Sequence, residues 1–389
     1  MRTHPEQVSD PERLARAMLS TLAEPGGALL GRLVSSLGPI EAVEAVRTGS
    51  APGGLIQSHR DHQTLAGWRE RLRAADPEAA LDLCARLGGR LVCPGGPEWP
   101  SQLDDLGPEA PQALWLRGPG NLRHGCLRSV AVVGARAATN YGTRTASELA
   151  ADLSDRGWTV VSGAALGIDA AAHRGALAAG DPGDQARTIA VLACGIDVHY
   201  PPRNAALLAE IAERALLISE WPPGTHPTRG RFLVRNRVIA ALTRGTMVVE
   251  ADLRSGSLNT AGYAERLNRP VLVLPGPVTS RMSRGCHRWL RDGRAECATD
   301  AAEIVETLGM IGDDLAPVER GPEKPWDHLD HVTRQVLDAV PAHSDAITEE
   351  IATAAAVDLN TTRSRLALLA SAGLVTSTSQ GWRTTATNS

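Results

Sequence analysis

The apolar run Val130-Ala131-Val132-Val133 ends on Gly134-Ala135-Arg136, and after Thr139-Asn140 a helical pattern begins at Tyr141. A strand without polar alternation, then a glycine turn, then a helix is the unit from which a sheet buried on both faces is built. Five further runs repeat it: Thr159–Val161, Thr188–Ala193, Leu216–Ser219, Met247–Glu250 and Val271–Leu274. Helices are predicted between them over Tyr141–Arg156, Asp169–Ala179, Arg203–Arg214, Arg235–Thr243 and Ser257–Leu267. The alternation predicts a doubly wound α/β domain around a parallel sheet, with ligands bound at the carboxyl ends of the strands.

The flanks read differently. Residues 1–100 carry apolar positions at helical spacing, as in Leu14, Met18, Leu22 and then Leu29, Leu33, Val34. The break Leu37-Gly38-Pro39 is compatible with a helix-hairpin-helix- or SAM-like domain, and plain helical packing explains the pattern as well. A Pro- and Gly-rich connector over 90–126, with one strand at Ala113–Leu116, leads into a central domain taken as 101–310. Residues 311–327 are acidic and read as a linker. Over 328–389, Leu329, Val332, Val336, Leu337 and Val340 line one helix face. A second helix is predicted over Thr348–Ala356, and a third, capped by Asn360, over Thr361–Ala372. Leu374-Val375 and Trp382–Thr384 then suggest a hairpin, giving a winged-helix-like domain.

Composition sets the outer bounds. With 389 residues, 43% apolar and 22% charged, the chain can bury a core and is too long for one ordinary domain. No run reaches the roughly 20 apolar residues of a membrane span. The opening MRTHPEQVSDPERL lacks the apolar core of a signal peptide, so a cytoplasmic protein is expected. Six sparse cysteines without C-x-x-C spacing predict neither a disulfide framework nor a metal site. The net charge of −4 hides a strong asymmetry. Arg128–Arg294 carries +7, and within it Arg229–Arg294 carries +9. A basic patch inside an acidic protein points to a polyanionic ligand.

The loops after the strands supply the candidate site. Gly134 and Arg136 follow the first strand, where helix amides and a fixed charge suit phosphate. Ser162-Gly163 and Gly167 follow the second, ahead of Asp169 and His173, which read more simply as a helix cap and a satisfied histidine than as an acid–base pair. Thr228–Arg237 holds Arg229, Arg231, Arg235 and Arg237 around Phe232, the only phenylalanine. Arginines interleaved with an aromatic ring suit a single strand, phosphates pairing with guanidinium and a base stacking on the ring. With Asn236 and Ser255-Gly256-Ser257 these complete the set, and Arg281, Arg284 and Arg288 extend the basic surface. There is no G-x-x-x-x-G-K-[ST] loop, and the sole lysine, Lys324, lies outside the domain, which excludes ATP hydrolysis by that route.

In order, VAVVGARAATNYG, VVSGAALGIDAAAHRGAL, IAVLACGIDVHYPPRN, LISEWPPGTHPTRGRFLVRNRVIA, VVEADLRSGSLNTA and VLVLPGPVTSRMSRGCHRWL closely resemble the DNA-processing protein A (DprA, or Smf) family across 128–298. The resemblance implies an extended Rossmann fold that binds single-stranded DNA. It also implies loading of the RecA recombinase in natural transformation, displacement of single-strand-binding protein, and a homodimer. No cofactor and no catalytic residue is implied. Ala135, Leu166 and Leu233-Val234 depart from the commoner family pattern. The alternative is an enzyme, a nucleotide phosphoribohydrolase on a related fold. Its P-G-G-x-G-T loop is replaced here by Pro275-Gly276-Pro277.

Overall fold

In a computed structural model, which describes residues 8–179, 187–310, 324 and 326–385, the chain forms two compact units, Met1–Ala316 and Pro317–Ser389. The first contains a nine-stranded sheet of β1 (Gly89–Val92), β2 (Leu114–Arg117), β3 (Ser129–Val133), β4 (Thr159–Ser162), β5 (Thr188–Val191), β6 (Leu216–Ser219), β7 (Thr246–Val248), β8 (Val271–Val273) and β9 (Glu296–Cys297). Their spatial order is β1-β2-β6-β5-β4-β3-β7-β8-β9. The seven strands from β3 to β9 are parallel, and β2 pairs antiparallel with both β1 and β6. The fold is therefore the expected doubly wound α/β sheet, extended at one edge by an antiparallel pair.

The strands β3 to β8 bury both faces. Ala131, Val133, Val161, Ile189, Val191 and Val248 pack against Val238–Leu242 and the helix Ser257–Arg266. Their alternates Val130, Val132, Val160, Met247 and Val249 pack against the helices Asn140–Asp155, Ile168–Ala178 and Ala301–Leu308. This two-sided burial explains why the runs lack polar alternation.

Strand order reverses beside β3. The chain steps from β3 to β4, β5 and β6 on one side, then crosses to β7, β8 and β9 on the other. Loops leaving β3 and β7 therefore diverge and open a crevice at the carboxyl ends of the strands. The crossing element is a helix, Arg229–Leu242, that starts six residues before the predicted Arg235. The arginine-rich stretch expected as a loop thus forms its first turns.

Five helices precede the sheet: Asp10–Leu22, Ala28–Leu37, Pro39–Thr48, His59–Leu72 and Pro77–Arg86. Gly38, at φ +85, turns the second into the third. In the second unit the helices His331–Asp338, Thr348–Ala355 and Leu359–Ser371 are followed by a hairpin of Val375–Thr378 with Gly381–Thr384. Asp358, rather than Asn360, caps the third helix, accepting from the amides of Asn360 and Thr361 at 3.1 and 3.0 Å. The predicted linker 311–327 lies largely outside the described residues.

Candidate nucleic-acid interface

The crevice is a cleft of about 790 Å³. Its walls come from the loop after β3, the loop after β7 and the start of the helix Arg229–Leu242. Gly134, Arg136, Phe232, Arg235, Asn236, Ser255, Gly256 and Ser257 all line it. Helical geometry explains part of this convergence. At about 100° per residue, Arg235 and Asn236 fall within about 60° of Phe232, while Arg237 lies about 140° away.

The charge balance favours an anion. Arg136, Arg229, Arg235, Arg254 and Arg281 line the cleft against Asp169 and Asp252. Arg281 bonds Asp252 at 2.6 Å. Arg136, Arg229 and Arg254 form no ion pair among the described residues. The Arg136 guanidinium lies 4.9 Å from the centroid of the Phe232 ring, and Tyr200 approaches the same ring at 5.7 Å. Thr228, at the helix start, caps no amide with its side chain. Arg229, in the first turn, opposes the helix dipole, a conflict that an anion bound there relieves.

Arg235 is buried and fixed. It donates to the carbonyls of Gly163, at 2.8 Å, and Val191, and so braces the ends of β4 and β5. Burial lowers its pKa to about 10, which leaves it charged at neutral pH. Burial likewise raises the pKa of Asp169, opposed by Arg235 and by the amides of Ala165 and Gly163. Ser255 and Ser257 share a hydroxyl–hydroxyl bond of 2.7 Å, and Asn236 reaches the Gly256 carbonyl at 3.3 Å.

Four expected residues do not line the cleft. Ser162 is buried and donates to the Val132 carbonyl at 2.7 Å, stitching β4 to β3. Gly163 makes room for Arg235, because a Cβ there would sit 2.4 Å from the guanidinium. Gly167, at φ +81, lets the next helix start against Ala135, whose carbonyl oxygen would meet a Cβ at 2.3 Å. Arg237 points away and grips Glu220 with both terminal nitrogens, at 2.6 and 2.7 Å, with only 1% of its side chain exposed.

His173 and Asp169 do not form a pair. Thr188 donates its hydroxyl to the Val160 carbonyl at 2.7 Å, so it accepts from His173 Nδ1 at 2.6 Å. His173 Nε2 is buried with no partner among the described residues. Burial, with Arg235 and Arg174 nearby, depresses the histidine pKa to about 3 and keeps it neutral.

Tyr200, Arg229, Arg254 and Arg281 also line the cleft, Arg229 and Arg281 as part of the basic surface expected above. All four lie inside the motif stretches quoted above.

Fold and cleft together define an open α/β protein with a basic, aromatic-lined crevice at its topological switch point. The chain belongs to the DNA recombination-mediator protein A family, whose model matches residues 90–309. It is 44% identical over 384 residues to the putative DNA processing protein DprA of Mycobacterium tuberculosis, covering 96% of this chain and 95% of that protein. The X-ray structure of DprA from Streptococcus pneumoniae superposes with a TM-score of 0.61 at 29% identity, covering 78% of this chain and all of that one. A DNA processing protein A structure from Helicobacter pylori, described in terms of its single-stranded DNA binding mode, gives 0.49 at 32% identity, covering 54% and 92%. Among the described residues, no helix is long and apolar enough to cross a membrane.

Proposed function

We propose that this chain binds single-stranded DNA in the cleft and acts as a cytoplasmic recombination mediator. It shields a strand, displaces single-strand-binding protein and delivers the strand to RecA, in natural transformation or in recombination more broadly. It works as a homodimer and catalyses no reaction itself. The observation that carries the reading is the Arg136 guanidinium over the Phe232 ring at the wall of a cleft holding further unpaired arginines. Phosphates pair with guanidinium groups while an unpaired base stacks on the ring. In this reading Arg136, Phe232, Arg235, Asn236 and Ser255–Ser257 touch the strand. Ser162, Gly163 and Gly167 shape the wall behind them.

The division of labour follows charge. The central domain, 101–310, grips DNA behind the helical domain of 1–100. Residues 328–389 carry four Arg against six acids, which suits a protein contact better than a duplex contact. The test is binding of labelled single- and double-stranded oligonucleotides across a salt series. The expected result is preference for the single strand, with affinity falling steeply as salt rises. Equal affinity for both forms, or no salt dependence, would overturn the reading.

A further inference from the structure

We infer that Tyr200 is a second base-stacking surface, which completes with Phe232 a two-ring platform for unpaired bases. The inference rests on the single-strand reading above and identifies how the cleft would recognise bases as distinct from phosphates.

Aromatic side chains are scarce here: one Phe and three Tyr in 389 residues. The tryptophans Trp68, Trp99, Trp115, Trp158, Trp221 and Trp289 are buried in the core. Phe232 and Tyr200 are placed differently. Phe232 is half-buried, Tyr200 is 42% exposed, and both line the cleft. Their centroids lie 5.7 Å apart with the planes tilted by 43°. Apolar ring surface left in water is covered favourably by any flat apolar partner.

The Tyr200 ring sits on a fixed backbone. Its amide donates to the Val198 carbonyl at 3.0 Å. Four residues on, Asn204 is buried and its side-chain amide donates to the carbonyls of Ala164 and Ala165 at 2.9 and 3.2 Å, tying this loop to the end of β4. A backbone held this way loses little freedom when a base stacks on the ring it carries.

The surroundings select the occupant. Arg136 lies against Phe232, and Arg229 and Arg254 belong to the same cleft. A flat π-face beside cations that lack acidic partners fits a base still joined to its phosphate. Rings tilted by 43° cannot both lie flat on one base, so each takes a different base of the strand. Bases within a duplex have their faces covered by their neighbours and cannot use the platform. Stacking involves no counterion release, so its share of the affinity resists salt.

The test uses the full-length protein and a labelled thymidine oligomer of about 20 nucleotides, with an abasic oligomer of equal length as control. Tyr200→Ala is expected to weaken binding of the thymidine oligomer about 5- to 100-fold, with the slope of log affinity against log salt unchanged. Tyr200→Phe restores binding, Tyr200→Leu does not, and the abasic oligomer binds native and variant protein alike. Native-like thermal melting is expected for all three variants; should Tyr200→Ala not fold, the Phe-against-Leu comparison decides. Unchanged affinity, a changed salt slope, rescue by Leu, or an equal loss on the abasic oligomer would overturn the inference. If native protein does not bind the thymidine oligomer at all, the single-strand reading itself falls and this inference falls with it.

Discussion

Arginine does two different jobs on the two sides of the helix Arg229–Leu242. On the rim of the cleft, Arg136, Arg229 and Arg254 have no acidic partner among the described residues. Along the seam with the N-terminal helices, arginines are committed to carboxylates. Arg237 holds Glu220, and Arg231 holds Glu24, which also accepts from Trp221 Nε1 at 3.0 Å. Gly26, two residues after Glu24, lies against Arg237, where a Cβ would come within 3.1 Å of Nε. The seam fastens the helical segment to the sheet, and the rim leaves charge open to a ligand. Arginine density alone therefore does not mark an anion site; burial and partner do.

The largest effect expected from this contrast is at the seam. Arg237→Ala strands Glu220, 4% exposed, without a counter-charge. Breaking a buried pair by removing one partner costs about 3–5 kcal/mol. Chemical denaturation should register that loss, while strand affinity per folded molecule stays near native. A variant of native stability that had lost strand binding would move Arg237 back to the rim and dissolve the distinction.

The rim should behave in the opposite way. Combined Arg136→Ala, Arg229→Ala and Arg254→Ala removes three exposed cations, and surface changes of this kind shift stability by only about 0.5 kcal/mol each. Single-strand binding should fall by about 100-fold near physiological salt. The salt slope should drop by about 2, since each phosphate contact on a single strand contributes about 0.7. A salt titration of binding checks both figures. An unchanged slope would mean that these guanidinium groups meet no phosphate.

Much of this is legible in the sequence alone, and what is not has definite causes. The six apolar runs each became a strand, because two-sided burial writes an unbroken apolar signal. Gly89–Val92 and Glu296–Cys297 carried no such signal: the first is half-covered at an edge and the second is two exposed residues. The cleft set gathered because strand ends and glycine turns are recognisable locally. Arg237 was misplaced because a helix face is defined only once the helix start is known. Pro227 and Gly230, within a run of arginines, hid a start at Arg229. Its partner Glu220 lies 17 residues upstream, across a turn that periodicity cannot close.

Behind the rim, His173 sharpens the contrast between open and enclosed charge. Its pKa is about 6.5 when unfolded and about 3 when buried beside Arg235. The folded chain therefore refuses a proton that the unfolded chain accepts. Its contribution to stability is complete above pH 6.5 and is lost as the pH falls towards 3, at about 1.4 kcal/mol per unit. With His173→Asn, the gap in unfolding free energy between native and variant should narrow at that rate from about pH 6 to about pH 4. Curves that remain parallel through that range would show that the imidazole is protonated in the folded state.

The smallest effect expected is at the second wall of the cleft. Ser255 and Ser257 bond one another at 2.7 Å, so one of the two hydroxyl hydrogens is already engaged before a ligand arrives. A phosphate gains the free hydroxyl hydrogen and must replace that bond to take the other, and the net worth of the exchange is about 0.5–1.5 kcal/mol. Ser255→Ala with Ser257→Ala should accordingly weaken strand binding only about two- to tenfold. No cation is removed, so the salt slope should remain native, whereas Arg254→Ala in the same loop should lower it by about 0.7. Measuring both variants across one salt series separates hydroxyl from guanidinium within four residues of chain. A slope change on removing the serines would mean that the loop had moved and carried Arg254 away from the strand, making the wall a single unit instead of two independent contacts.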